Sequence, residues 1–283
     1  MQKQTLVSTD WLGQHLRDHD VIVVDVRHNL ADHEAGQRTY GFSHILGAHF
    51  VSVERELSGP RTGHNGRHPL PTMAGINKLL RRLGVTTDKI IVAYDDAGGM
   101  FAARMWWMMR WIGLYNCAVL DGGWQKWLAE HRQVSRELPH VPESDIHCFV
   151  QDKLRVDADY LLQHLGDRAA MQIVDARAPD RFRGENETLD PVGGHIPGAL
   201  NRFFQHNLTG TGVFKSPGEL HQEWTTLLGP REPATVVAQC GSGITACHNL
   251  LAMEIAGLHG AKLYPGSWSE WCSDVSRPVE TGE

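Results

Sequence analysis

The chain repeats itself, and this constrains its fold more than any other feature. Val7–Leu16, VSTDWLGQHL, and Val156–Leu165, VDADYLLQHL, agree at six of ten positions. Val21–Arg27 (VIVVDVR) is answered by Gln172–Arg177 (QIVDAR), and Gly41–Ala48 (GFSHILGA) by Gly193–Ala199 (GGHIPGA), with His44 opposite His195. Ile90–Asp95 (IIVAYD) is answered by Thr235–Cys240 (TVVAQC). The WxxW pair Trp124/Trp127 in LDGGWQKW is answered by Trp268/Trp271 in LYPGSWSEW. The matches keep their order at a spacing of about half the chain, which marks a duplicated domain rather than a short-period solenoid. The pattern fades over the polar stretch Gln133–Lys153, which holds Pro139 and Pro142. We therefore expect a first domain over 1–133, a linker over 134–152 and a second domain over 153–283.

Within each half, short β-branched runs (Val21–Val24, Ile90–Val92, Ile173–Val174, Val236–Val237) alternate with segments of helical spacing. Such runs fit buried parallel strands, and βαβ alternation predicts an α/β fold: in each domain a parallel sheet flanked by helices. Phe101–Ile112 carries only Arg104 and Arg110 as charged residues, so it predicts a helix buried nearly all round. With 27 Lys and Arg against 33 Asp and Glu, the chain has a formal charge of −6, without the basic footprint of a nucleic-acid binder. No stretch approaches the ~20 apolar residues of a membrane span. The N-terminus lacks signal-peptide features, and five scattered cysteines do not form a disulfide framework. These features predict a cytoplasmic protein with free thiols, and nothing demands more than a monomer.

One connection, Glu56–Gly75, is long and rich in Gly, Pro and basic residues, as functional lids are. It carries His64 and His68, but no acidic or thiol partner stands at a ligand-like spacing, so we read no metal site there.

The two halves part company where chemistry begins. Cys240 follows the predicted strand Thr235–Ala238 and opens CGSGITA; Thr245–Leu258 then has helical spacing. Gly241, Ser242, Gly243 and Ile244 thus form a short loop between a strand end and a helix N-terminus. Glycines let successive N–H groups turn inward as an anion-binding nest, and the helix dipole adds positive potential. Both favour a thiolate, the nucleophilic form of cysteine. The repeat puts Asp95 at the same place in the first half, so that half reads as a degenerate copy. Cys117, Cys148, Cys247 and Cys272 read as small buried hydrophobes.

The combination of DVR and DAR, SHILGA and GHIPGA, RFRGE, CGSGITA and the paired DGGW and GSWSEW endings resembles the tandem rhodanese family of sulfurtransferases over essentially the whole chain. The resemblance implies an inactive N-terminal domain, a catalytic C-terminal one and no cofactor. It also implies a ping-pong transfer in which Cys240 takes a sulfane sulfur, becomes a persulfide and passes the sulfur to a thiophilic acceptor, a thiol such as that of thioredoxin or cyanide. Thiosulfate-type members carry basic residues after the cysteine. Gly241 and Ser242 instead resemble the CGSGVTA loop of the 3-mercaptopyruvate sulfurtransferases. That likeness implies a serine–histidine–aspartate relay, carried over here as Ser242, His44 and Asp32, and a loop of Gly241, Gly243, Ile244 and Thr245 around the donor.

A donor carboxylate calls for arginine, whose planar fork grips two oxygens. Arg181, in DRFRG, matches the first such arginine of the mercaptopyruvate enzymes. The place of the second, nine residues later, is held by Asp190, so Arg183 in the same segment, or Arg61 or Arg67 from the long loop, are the candidate substitutes. Arg177 repeats as Arg27 and reads as a fold residue. The alternatives are a thiosulfate sulfurtransferase and a persulfide carrier that does not turn over. A cysteine phosphatase of the same fold would need an arginine six residues after Cys240, where Ala246 stands.

Overall fold

Apolar, β-branched runs too short for helices form strands when both faces can be covered, and they do so here twice. The computed structural model describes residues 4–283, which divide into two units. One comprises residues 4–59, 70–151 and 210–214, and the other residues 60–69, 152–209 and 215–283.

The first unit contains β1 (Leu6–Val7), α1 (Thr9–His15), β2 (Val21–Asp25), α2 (Ala35–Phe42), β3 (His44–Ile45) and β4 (His49–Phe50). It continues with α3 (Met73–Arg82), β5 (Ile90–Tyr94), α4 (Ala102–Trp111), β6 (Cys117–Leu120), α5 (Gly123–Ala129) and β7 (Val134–Ser135). Its main sheet is parallel, in the order β1-β6-β5-β2-β4. β5 is buried along its whole length, and α4 buries every residue but Arg110, as its near-absence of charge predicts. α3 begins inside the segment read as loop, because Thr72 caps it by accepting the Gly75 N–H. Residues 134–151, read as a linker, cluster with this unit. β7 pairs antiparallel with β3, and the Cys148 N–H donates to Asn77 Oδ1 at 2.9 Å.

The second unit contains α6 (Ala158–Gln163), β8 (Gln172–Asp175), α7 (Pro179–Arg183), β9 (Leu200–Asn201) and α8 (Pro217–Leu228). β10 (Val236–Gln239), α9 (Thr245–Ile255), β11 (Lys262–Leu263) and α10 (Ser267–Trp271) follow. Its parallel sheet runs β11-β10-β8-β9, with a bridge from Arg155 to Leu263 standing where β1 pairs with β6 in the first unit. The duplicated sequence therefore gives a duplicated strand order. α9 ends at Ile255, short of the predicted Leu258, because Gly257 turns into the left-handed region at φ +75°.

The turn after β5 shows what such a strand end holds. The Asp95 carboxylate, 1% exposed, accepts the N–H groups of Ala97 and Gly99 on Oδ1 and of Phe101 and Ala102 on Oδ2, at 2.7–2.9 Å. Burial pushes this carboxyl's pKa up, and the four N–H groups pull against it. Asp95→Asn puts an NH2 group against two of these donors and leaves them unpaired. We expect a loss of at least about 2 kcal/mol, read as a lower midpoint in denaturant unfolding of the full chain; an unchanged midpoint would remove Asp95 from this structural role.

Candidate functional site

Cys240 follows directly on the end of β10, whose last residue, Gln239, pairs with Asp175 of β8 in the parallel ladder. Ligands bind at this carboxyl edge in open α/β sheets. The loop after it turns at Gly243, which sits at φ +79° and whose absent Cβ would lie 2.3 Å from the Pro265 carbonyl oxygen. Only glycine fits there. The turn aims the Gly243 N–H at Cys240 Sγ, 3.2 Å away, while Ile244 and Thr245 open the eleven-residue helix α9. Backbone N–H and helix dipole thus both present positive potential to the sulfur. Cys240 is 2% exposed, so these dipoles act with little water to screen them.

The start of α10 fixes the loop from the other side. The Cys240 N–H donates to Ser267 Oγ at 3.1 Å, and Ser267 Oγ donates to the Tyr264 carbonyl at 3.0 Å. Trp268 and Ser269 donate their N–H groups to the carbonyls of Cys240 and Gly241, at 2.9 and 3.0 Å. Ser267 holds φ +54°, a left-handed conformation that costs a non-glycine residue energy. In the first unit Gly123 has the matching φ of +52°, and the Trp124 N–H donates to the Asp95 carbonyl at 2.8 Å.

The partner of Ser242 corrects the sequence reading. Ser242 Oγ lies 2.7 Å from His68 Nδ1, and both residues are buried. His44 is committed elsewhere. Its Nδ1 and Nε2 lie 2.8 and 3.1 Å from the carbonyl oxygens of Tyr40 and Glu137, and its ring stacks on Tyr40. Its repeat counterpart His195 does the same with the Phe182 carbonyl and ring. Asp32 sits on an exposed turn, paired with Arg38. His44 and Asp32 therefore serve local structure, and the histidine of the serine pair is His68. The signal for it was the long connection itself, in which His68 was weighed only as a metal ligand.

The arginines sort just as clearly. Arg177 grips Asp175 through Nε and Nη2 at 2.7–3.2 Å and donates to the Gly194 carbonyl at 2.7 Å, as Arg27 does with Asp25 and Ser43. Burial works against the Arg177 charge, but Asp175, Glu187 and Cys240 together push its pKa up. Arg183 turns to Glu185 at 2.7 Å, tied to its own neighbour.

Arg181 presents Nε and Nη2 to Glu187 at 2.8–3.1 Å, and its Nη2 lies 3.4 Å from Asp190. Arg67 pairs with the other oxygen of Asp190 and donates its backbone N–H to Ser269 Oγ at 3.0 Å. Burial raises the Asp190 carboxyl's pKa, while Arg67 pulls it down. For Glu187 burial also acts upward, but the Leu189 N–H and Arg181 outweigh it and hold its pKa below the usual carboxylate value. Gly241 lies beneath these arginines. A Cβ there would stand 2.9 Å from Arg67 Nη2 and 3.6 Å from both terminal nitrogens of Arg181.

Comparison with known proteins places this architecture. The sequence matches the rhodanese-like domain family twice, over residues 8–130 and 157–274. A Pseudomonas aeruginosa protein described as a probable 3-mercaptopyruvate sulfurtransferase is 43% identical, with all of both chains covered. The thiosulfate sulfurtransferase of Rattus norvegicus is 33% identical over 95% of this chain and 92% of its own. Among solved structures, the 3-mercaptopyruvate sulfurtransferase of Leishmania major superposes with a TM-score of 0.85 at 28% identity, over 96% of this chain and 75% of its own. SseA of Escherichia coli, described as a 3-mercaptopyruvate sulfotransferase with the rhodanese fold, gives 0.81 at 29% identity, over 94% and 99%. A duplicated parallel sheet with a cysteine loop at one strand end, matched twice by one family, has one reading: the chain belongs to the rhodanese family and carries two copies of its domain.

Proposed function

We propose that this protein is a sulfurtransferase that moves a sulfane sulfur from 3-mercaptopyruvate through a Cys240 persulfide to a thiol acceptor. One observation carries the reading: Cys240 Sγ sits in a loop free of side-chain cations, with a backbone N–H on the sulfur and arginine nitrogens above the next residue. The whole-length relative described as a 3-mercaptopyruvate sulfurtransferase supports the same donor.

The Cys240 thiolate attacks the donor sulfur, the S–C3 bond breaks, and its electron pair passes into the enolate of pyruvate. The donor's thiol proton ends on that enolate, so thiolate and mercaptopyruvate become persulfide anion and pyruvate. Ser242, hydrogen-bonded to His68, stands two residues from the sulfur and relays the proton. The Gly243 N–H and the N-terminus of α9 stabilise the thiolate before transfer and the terminal sulfur anion after it. An acceptor thiolate, such as that of thioredoxin, or cyanide, then attacks the terminal sulfur and restores the Cys240 thiolate. No helix among the described residues is long and apolar enough to cross a membrane. Five cysteines held as thiols suit the reducing cytoplasm, where we place the activity.

Cys240→Ser should abolish transfer with the fold intact, because a hydroxyl forms no stable persulfide. In the wild type, mass spectrometry after donor treatment should find one added sulfur on the Cys240 peptide; finding it on Cys247 would overturn the assignment. His68→Gln should lower kcat about a hundredfold and flatten its pH profile, measured at saturating donor, whereas His44→Gln should leave that profile's shape unchanged. Arg181→Lys keeps the charge but loses the fork by which Glu187 holds the guanidinium over Gly241, so kcat/KM for 3-mercaptopyruvate should fall at least about tenfold, and for thiosulfate much less. Equal losses, or faster wild-type turnover of thiosulfate, would favour thiosulfate as the donor.

A further inference from the structure

Arg181 alone does not offer a carboxylate its two-pronged edge. Its Nε and Nη2 are engaged by Glu187, which leaves Nη1 as the end without a hydrogen bond among the described residues. Arg67 is in the mirror situation: Nη1 is held by Asp190, and Nη2 is its open end. The carboxylates holding the two arginines are nearly buried, with side-chain exposures of 3% for Asp190 and 4% for Glu187. The arginines above them are 25% and 20% exposed. Both open ends lie against the space that a side chain at position 241 would fill, next to the nucleophile.

We propose that Arg67 and Arg181 form a clamp over Gly241 that takes the donor's carboxylate with one guanidinium nitrogen from each, and that Asp190 is the positioning residue that holds both in place. The proposal rests on the 3-mercaptopyruvate reading above and adds a residue from the 60–69 segment to donor recognition. It accounts for Asp190, an acidic residue where a cation would be the simpler partner for an anion: a carboxylate beneath two guanidiniums keeps them close despite their like charge. It also accounts for Gly241, because any side chain there would displace Arg67. Two carboxylates beneath two guanidiniums leave the cluster neutral, which suits a single donor carboxylate better than a dianion.

Steady-state kinetics of Arg67→Gln, Arg67→Lys and Gly241→Ala test this, alongside discharge of pre-formed Cys240 persulfide to dithiothreitol, an uncharged acceptor. The clamp requires KM for 3-mercaptopyruvate to rise at least about tenfold in Arg67→Gln and less in Arg67→Lys, which keeps the charge. Gly241→Ala should also raise KM without lowering the melting temperature, since the atoms it meets are the mobile end of a side chain. Persulfide discharge should change less than about twofold in all three. A KM unchanged in any folded variant, or equal losses of KM and discharge rate, would overturn the clamp and leave Arg67 a loop anchor. A wild type that loads sulfur from thiosulfate but not from 3-mercaptopyruvate would instead overturn the donor reading itself. For Asp190→Asn, a positioning role requires KM to rise with kcat nearly unchanged; a fall in kcat alone would overturn that part.

Discussion

The second unit hangs on a buried ion pair two residues wide. Asp175, at the end of β8, accepts the backbone N–H of Arg177 and grips its guanidinium. The remaining faces of that guanidinium reach outward to the Gly194 carbonyl and the ring of Trp268, 4.7 Å from its centre. Trp268 in turn holds the Cys240 carbonyl. One arginine thus ties together the loop before β9, the start of α10 and the strand end that carries Cys240. Removing one partner of such a pair strands a buried charge, typically at a cost of about 3–5 kcal/mol. Asp25, Arg27, Ser43 and Trp124 repeat the arrangement in the first unit, with the Arg27 guanidinium 4.3 Å from the Trp124 ring centre.

The features legible in the sequence were those with local causes. Strands, the buried helix α4 and the cysteine loop follow from residue type and period within short windows, and the repeat supplied a second reading of each. The same repeat exposed His44 and His195 as an equivalent pair. Their stacking on Tyr40 and Phe182 gives the physical reason: each imidazole fills a place in its own unit. What stayed hidden depends on contacts across long sequence distances. His68 and Ser242 are 174 residues apart, and Arg67 and Asp190 are 123 apart. The segment that brings His68 and Arg67 has no periodicity to announce where its side chains go. Asp190 was legible only as a departure from pattern, since a carboxylate acquires meaning from the guanidiniums above it.

Charge in the second unit is layered by burial. The deepest pair, Asp175 and Arg177, is almost fully buried and serves the fold. Glu187 spans the layers, bonded to Arg181 and lying 3.5 Å from Arg177. Above it, Arg67 and Arg181 each keep one terminal nitrogen uncommitted. Exposure therefore rises from the Asp175–Arg177 pair at the sheet to Arg181 and Arg67 above it, at 20% and 25%.

The two strand-end turns also divide labour between endurance and turnover. In the first unit Asp95 supplies the anion covalently, and its four N–H partners are permanently satisfied. That turn never has to exist empty, so its dipoles contribute to stability at all times. The Cys240 turn instead holds a thiol sulfur, to which the Gly243 N–H points at 3.2 Å; on the proposed mechanism the charge there comes and goes. The duplicated turn thus exists in two forms: a strut loaded by its own carboxylate, and a socket built around a thiol, whose occupant the proposed chemistry would exchange.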